Sequence, residues 1–499
     1  MSDGLPGRMS SERSVLAAMS ICTVLVVGFV ASINLAVPDL AASSLHPSSS
    51  TVLWIVDLYV LLFACLVIPS GAAGDRWGRK GVLLTGIGLF AVGAIISAAA
   101  PNVGVMLAGR ALTGVGAAGV LPNSLAVLVH ATAPQRRPAA IGVWAAATGI
   151  AGAVGNVVGG ALLEANWRTL FAVMAPLAAI CGLWVARVAP RTERHTRPLD
   201  LRSAALLTLA TAALLAGIIQ GPGDGWTSGA VLGSFAAAVA LLAGWLASSL
   251  RTEHPLLDPR LFRIPLLRAG GLGMTVAFFG LFGLFFVNAS YLQYVHGFTV
   301  LQTGLAILPM PIPMVLLARR VPKFSARFGS TRTVALAFAF IGSALVGLAA
   351  SAHLSYGVYV IWLVLLGIGG ALALPTLTHD ITSSLPPAQA GVGAGLQATT
   401  REVGSALGVA IVGTVLASRF NSALPDALRG GGPHTVAQAL GAAHDAALRS
   451  GVIHAYADGT QLALIVAGVA TLVVGALVTA QSAWSARVSR TVAVETATA

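Results

Sequence analysis

Charge is what this chain has least of: 9% of its 499 residues are charged, where soluble domains carry roughly a quarter. With 56% hydrophobic residues and a mean hydropathy of +0.85, there is too little polar surface to cover one soluble core. A lipid bilayer removes that requirement, because there the backbone satisfies its own hydrogen bonds in helices or closed barrels. The short alternating segments of a barrel are missing. Cysteine is scarce too. Cys22, Cys65 and Cys181 all fall within apolar runs, which excludes a disulfide framework and predicts that each packs as a small apolar side chain. No Gly-x-x-x-x-Gly-Lys-Ser/Thr loop occurs, so ATP is not the expected driver. Nor is there a cluster of His, Cys or paired acids at catalytic or ligand spacing. His434, His444 and His454 are too far apart for one helical turn, so no metal, no cofactor and no enzyme are expected.

What is present is a series of apolar runs about 20 residues long, the length that spans a bilayer as a helix. Fourteen are expected, at 14–37, 54–73, 82–100, 103–129, 139–163, 169–188, 201–219, 229–250, 267–288, 301–317, 331–350, 356–378, 391–417 and 459–480. The first is longer than a signal-peptide core and is read as a retained helix. Most of the 29 lysines and arginines lie on one set of alternating loops and ends, which marks that side as cytoplasmic. Both termini fall on it. The net charge of +12 therefore reports topology and contact with anionic lipid, and nucleic acid is not an expected partner. The longest polar-leaning stretch, Ser418 to Asp458, is expected outside as a solvated loop, with room for a short amphipathic helix.

The chain also repeats itself. TGVGAAGVLP (113–122) aligns with LGIGGALALP (366–375), so that Gly114, Gly116, Ala118 and Pro122 fall on Gly367, Gly369, Ala371 and Pro375. The same register carries Pro134 onto Pro387, Gly142 onto Gly395, Gly155 onto Gly408 and Gly160 onto Gly413. The fourth and fifth helices thus map onto the twelfth and thirteenth. The partition that follows is a cytoplasmic N-terminus (1–13), a six-helix bundle (14–188), a linker with two inserted helices (189–266), a second six-helix bundle (267–480) and a cytoplasmic tail (481–499). Glycines shared between the halves suggest close helix contact. The charges are not shared: Arg110 corresponds to Leu363, and Thr148 and Gly149 correspond to Arg401 and Glu402. Ionisable groups at membrane depth point to a functional site.

Four motifs follow from the chain itself. GAAGDRWGRK (71–80) joins the second and third helices. Gly71, Gly74 and Gly78 allow tight turns and close approach. Asp75 suits the positive end of the third helix, and Arg76, Arg79 and Lys80 suit the cytoplasmic face. Such a junction can latch two helices in one state and release them in another. It resembles the loop signature of the major facilitator superfamily. An echo, ARFGSTR (326–332), has Ala326 in place of the carboxylate, which predicts a weaker second latch. LAGRALTGVGAAG (107–119) resembles the family's second signature, with one arginine beside a glycine-rich face. Arg110 keeps its proton, so it acts on neighbours by its charge; the other reading is a structural arginine bonded to carbonyls. GIAGAVGNVVGGAL (149–162) resembles the antiporter signature of drug exporters. Gly149, Gly152, Gly155, Gly159 and Gly160 form its helix-contact face together with Gly114, and Asn156 stands where the family has proline. A plain packing face is the other reading.

SINLAVPDL (32–40), WIVDLYVLLFACLVIPSGAAGDRWGRK (54–80), LFRIPLLR and YLQYVHGFTVLQTGLAILP (291–309) extend the resemblance over the whole chain. They identify it with the fourteen-helix drug:proton antiporters, the QacA-like branch. That resemblance implies an all-α major facilitator fold, two six-helix bundles plus two inserted helices. It also implies a monomer in the cytoplasmic membrane that exports hydrophobic small molecules, driven by the proton gradient. Family members that export cations place an acid in the first helix; Phe29 stands there, which speaks against a dedicated quaternary-ammonium exporter. The remaining proton-coupling candidates are Asp57 and Glu402, with Arg110 and Arg401 as charge partners. Arg401 and Glu402 point about 100° apart on a helix, so they need not pair with each other. Asp39, Glu164, Asp224 and Asp380 sit near helix ends, in solvated or capping positions. Cavity candidates are Phe29, Asn34, Tyr59, Phe282 and Tyr291. The aromatic run Phe278 to Phe286 lines a drug pocket or faces lipid. Import of a metabolite by proton symport and export of an endogenous natural product only remain the alternatives.

Overall fold

A computed structural model describes residues 6–36, 39–40, 43–45, 49–192, 200–252, 258–317, 320–352, 354–385, 390–429 and 436–498. Among these there are helices and no strands. In chain order they are α1 (Pro6–Leu35), α2 (Ser49–Trp77), α3 (Arg79–Ala98), α4 (Val103–Ala131), α5 (Arg137–Leu163), α6 (Trp167–Val188), α7 (Leu201–Asp224), α8 (Gly229–Arg251) and α9 (Pro265–Tyr294). Then come three short helices, α10 (Val300–Ala306), α11 (Pro311–Leu317) and α12 (Val321–Phe328). The series closes with α13 (Ser330–Ala350), α14 (Tyr356–Ser383), α15 (Ala390–Ala423), α16 (Asp426–Arg429), α17 (Val436–Ala442) and α18 (Ala446–Thr498). Short polar side chains start several of them. Asn102 accepts from the Val105 amide at 3.0 Å, Asn166 from Arg168 at 2.9 Å and Asp200 from Ser203 at 3.0 Å, each satisfying an amide the helix leaves free.

Among the described residues, thirteen helices are long and apolar enough to cross a membrane. The tenth expected span, 301–317, is different: it breaks into α10 and α11 around a turn at 307–310. The cause is LPMPIP. Pro309, Pro311 and Pro313 supply no amide hydrogens, and each disfavours helical geometry in the residue before it. The Ser418–Asp458 stretch is also more ordered than a solvated loop. α15 runs on to Ala423, α16 and α17 follow, and α18 already begins at Ala446. His434 lies outside the described residues.

Packing follows the repeat. α4 lies along α2 and α3, and α14 along α13 and α11; α1 packs on α5, and α9 on α15. The repeated glycines make matching contacts. A Cβ on Gly114 would collide with the Tyr59 carbonyl of α2, and one on Gly367 with the Met310 carbonyl in the α10–α11 break. Gly116 abuts Gly86 and Phe90 of α3, while Gly369 abuts Ala337 and Ile341 of α13. Gly155 closes on Gly28 of α1, and Gly408 on Phe279 and Gly283 of α9. Between the halves, α15 meets α2 and α4, and α5 meets α10, α11 and α14. These contacts occur at both ends: Gly395 against Ile68 at one, Gly304 near Asn156 and Val157 at the other. α7 and α8 pair with each other, and α7 touches both α2 and α15. α8 presents Leu232, Val239, Leu242, Leu246 and Leu250 outward, a face suited to lipid.

Candidate functional site: a buried charge cluster between the halves

Four ionisable residues meet around one aromatic pair. Tyr59 and Phe63, one helical turn apart on α2, stack with centroids 6.1 Å apart. The Tyr59 hydroxyl donates to the Val26 carbonyl at 3.0 Å. Arg110, fully buried, comes from α4. Its Nε donates to the Ile55 carbonyl at 2.7 Å and its Nη2 to the Val56 carbonyl at 3.2 Å. Its Cζ lies 4.8 Å from the Tyr59 ring and 5.1 Å from the Phe29 ring, so the cation is held by carbonyls and aromatic faces together. Nη1 has no partner among the described residues. Phe29 thus gives this guanidinium a ring and not a carboxylate.

The other flank of the stack belongs to α15. Arg401 sits with Cζ 5.4 Å from Phe63 and 5.7 Å from Phe278 of α9. Its Nε and Nη2 both donate to Glu402 Oε1, at 2.9 and 2.6 Å. This corrects the sequence expectation that the two neighbours need not pair. Their Cα–Cβ bonds do diverge, but the arginine chain is long enough to fold back around the helix. Both are buried. Tyr59 lies within electrostatic reach of Arg110, Arg401 and Glu402 at once. Asp57, half-buried and one turn ahead of Phe63's neighbours on α2, interacts electrostatically with Arg110. Among the described residues it has no hydrogen-bond or ion-pair partner.

The α2–α3 junction forms a second charged group. Gly71 and Gly74 are helical within α2, not turn residues; the turn itself is Gly78, with φ +100°, a region that favours glycine. Gly74 instead permits contact, since a Cβ there would collide with Asn123 of α4. Asp75 accepts from Arg79 Nε at 2.8 Å. Arg79 is buried, not on the solvated face, and also bonds the Ala126 carbonyl of α4 at 3.4 Å. Lys80 caps α6, with Nζ 2.8 and 2.7 Å from the Ala186 and Ala189 carbonyls, and Arg76 lies over Trp77. In the echo, Gly329 has φ +88°. There Ser330 donates to Asp380 of α14. Asp380 is therefore buried and bonded, not solvated, whereas Asp39, Glu164 and Asp224 are exposed as expected.

A family model described as Major Facilitator Superfamily matches residues 19–409. The chain belongs to the major facilitator superfamily. Its curated relatives include the "Tetracenomycin C resistance and export protein" of Streptomyces glaucescens, 33% identical over 387 residues, 77% of this chain and 72% of that one. The "Methylenomycin A resistance protein" of Streptomyces coelicolor is 33% identical over 420 residues, 82% of this chain and 87% of that one. Among solved structures, the human organic anion transporter MFSD10 superposes with a TM-score of 0.64 at 18% identity, covering 94% of this chain and 99% of that one; this likeness concerns the fold alone. The family is one of transporters, not enzymes.

The remaining expected residues of this major facilitator chain fall in several places. Phe29 and Tyr59 belong to the packed interior of the first half with Phe90 and Phe171. Tyr291 is buried, donating to the Ala352 carbonyl at 2.6 Å and stacking on Tyr359. Phe282 stacks on Phe278 and meets Phe285 edge-on, while Phe286 faces outward. The Asn34 side chain and the surroundings of Gly149 lie outside what is described. Gly152 faces Phe285, Gly159 abuts Ser32 and Gly160 is buried. Cys22 and Cys181 are free thiols facing each other at 3.1 Å between α1 and α6. Sequence reasoning missed Phe63, whose position one turn after Tyr59 was the available signal, and Asn123, a buried amide in an apolar run.

Proposed function

We propose that this chain is a proton-coupled antiporter that exports hydrophobic small molecules across the cytoplasmic membrane. One observation carries this reading: buried charges from both halves, Arg110 of α4 and the Arg401–Glu402 pair of α15, flank a single aromatic stack on α2. An opposite charge at hydrogen-bond distance favours an ionised carboxylate, while burial without it favours the neutral acid. Glu402 exchanging its pairing with Arg401 for a proton, beside an aromatic stack carried by the other half, is therefore a proton switch that rocking of the halves can gate. Relatives named for resistance and export support the outward direction. In this reading the halves are 14–188 and 267–480, the protein acts as a monomer without a cofactor, and Asp75–Arg79 is a latch made in one state and broken in the other. Everted membrane vesicles test it: they should accumulate substrate when a pH gradient is imposed and stay empty without one.

Topology is part of the same proposal. The broken tenth span is taken as a crossing, which makes an even number and puts both termini in the cytoplasm. A periplasm-active reporter should be silent at the C-terminus, and cysteines introduced between α15 and α18 should label from outside in intact cells. An active C-terminal reporter contradicts this arrangement.

A further inference from the structure

Cys22 of α1 and Cys181 of α6 bring two free thiols together inside apolar, membrane-length helices. They are 159 residues apart in sequence, yet their sulfurs lie 3.1 Å apart because α1 packs on α6. Cys22 is 0% exposed and Cys181 3%, and both belong to the apolar core. Cys65 of α2, also buried, has no second thiol within hydrogen-bond distance. The outer surface of the helices is close by. Ile21, next to Cys22, and Ile180 and Leu183, on either side of Cys181, are exposed. A molecule dissolved in lipid therefore meets the α1–α6 seam one side-chain layer above the thiols, whereas a charged reagent is held off by the cost of membrane depth.

Two thiols in contact suit a soft centre that takes both sulfurs at once. A linear two-coordinate ion would hold them roughly 4.6 Å apart, two metal–sulfur bonds of about 2.3 Å, and would carry charge into the core. A pyramidal centre takes both sulfurs on adjacent corners and holds them closer. Trivalent arsenic is such a centre, and an organic arsenoxide is neutral before and after it reacts.

We propose that Cys22 and Cys181 form a binding site for neutral organic compounds of trivalent arsenic that enter from the lipid. With an arsenoxide, the two S–H bonds and the bond from arsenic to oxygen break and two As–S bonds form. The oxygen leaves as water with both thiol protons. Arsenic stays trivalent, so no oxidant is needed, and no charge is created at membrane depth. The fold supplies the affinity: it holds side by side two thiols that an unfolded chain would have to bring together across 159 residues. The site does not depend on the export reading.

Phenylarsine oxide added to the purified, reduced full chain in detergent tests this, with bound arsenical read by intact mass after a wash in excess mercaptoethanol. Wild type and Cys65→Ala should each keep one phenylarsenic group in place of two hydrogens, and release it to dimercaptopropanol. Their Tm should rise with the arsenical, since it favours the folded chain. Cys22→Ala and Cys181→Ala, which keep a small apolar side chain, should retain none and show no rise. Wild type unfolded in SDS before the wash should retain far less than the folded protein, a comparison that needs no variant. No retention by wild type, retention by either Cys22→Ala or Cys181→Ala, loss of retention in Cys65→Ala, or equal retention after unfolding would each overturn the proposal.

Discussion

Glu402→Gln should abolish uphill, pH-gradient-driven export and leave downhill movement of substrate in place. The amide keeps the size of the acid and can still accept from Arg401, but it carries no exchangeable proton. Arg401 remains held over Phe63 and Phe278, so the packing around the stack persists. Asp57→Asn is the companion variant: this acid lies near Arg110 with no partner of its own among the described residues. Asp39→Asn and Glu164→Gln, at exposed helix ends, should be close to neutral. Substrate and proton fluxes measured separately in proteoliposomes decide the matter. If Glu402→Gln and Asp57→Asn both retain wild-type coupled flux, neither acid carries the proton and the charges are structural.

Asp75→Asn should cripple turnover while leaving the protein folded and inserted. Removing one charge of a buried ion pair costs about 3–5 kcal/mol in the state that holds the pair. That shifts the balance between states by about two to three and a half orders of magnitude, since about 1.4 kcal/mol is tenfold. Ala326→Asp in the echo should do far less. The residue in Arg79's place there is Ser330, already bonded to Asp380, so a new carboxylate at 326 gains no cation of that kind. Initial transport rates, with surface labelling as the control for insertion, measure both. Equal and mild effects would mean that the 71–80 segment is only a turn.

Much of this fold was legible because apolar length alone places a helix in a membrane. Length misled at 301–317, where the prolines of LPMPIP decide the backbone and hydropathy does not register them. The constant register between Gly114, Gly155 and their counterparts Gly367 and Gly408 foretold which backbones touch, because only glycine allows those approaches. Charge was legible in a different way. Arg110, Glu402 and Asp75 stand out in apolar sequence because burying them is costly, yet their partners do not. Arg79 looked like a solvated cation and is bound inside. Asp380 looked like a helix-end acid and is buried against Ser330. Arg401 and Glu402 pair through side-chain reach, which helical angle does not reveal.

The central claim is coupling of outward substrate movement to inward proton movement. Everted vesicles acidified inside by respiration, carrying a lumenal pH dye and given a compound to which an expressing strain shows resistance, test it most directly. The account predicts that the compound accumulates inside and that the lumen becomes more alkaline as it does, with neither change in vesicles bearing Glu402→Gln. Accumulation that proceeds unchanged after the pH gradient is collapsed, or movement of compound out of the lumen together with protons, would contradict it.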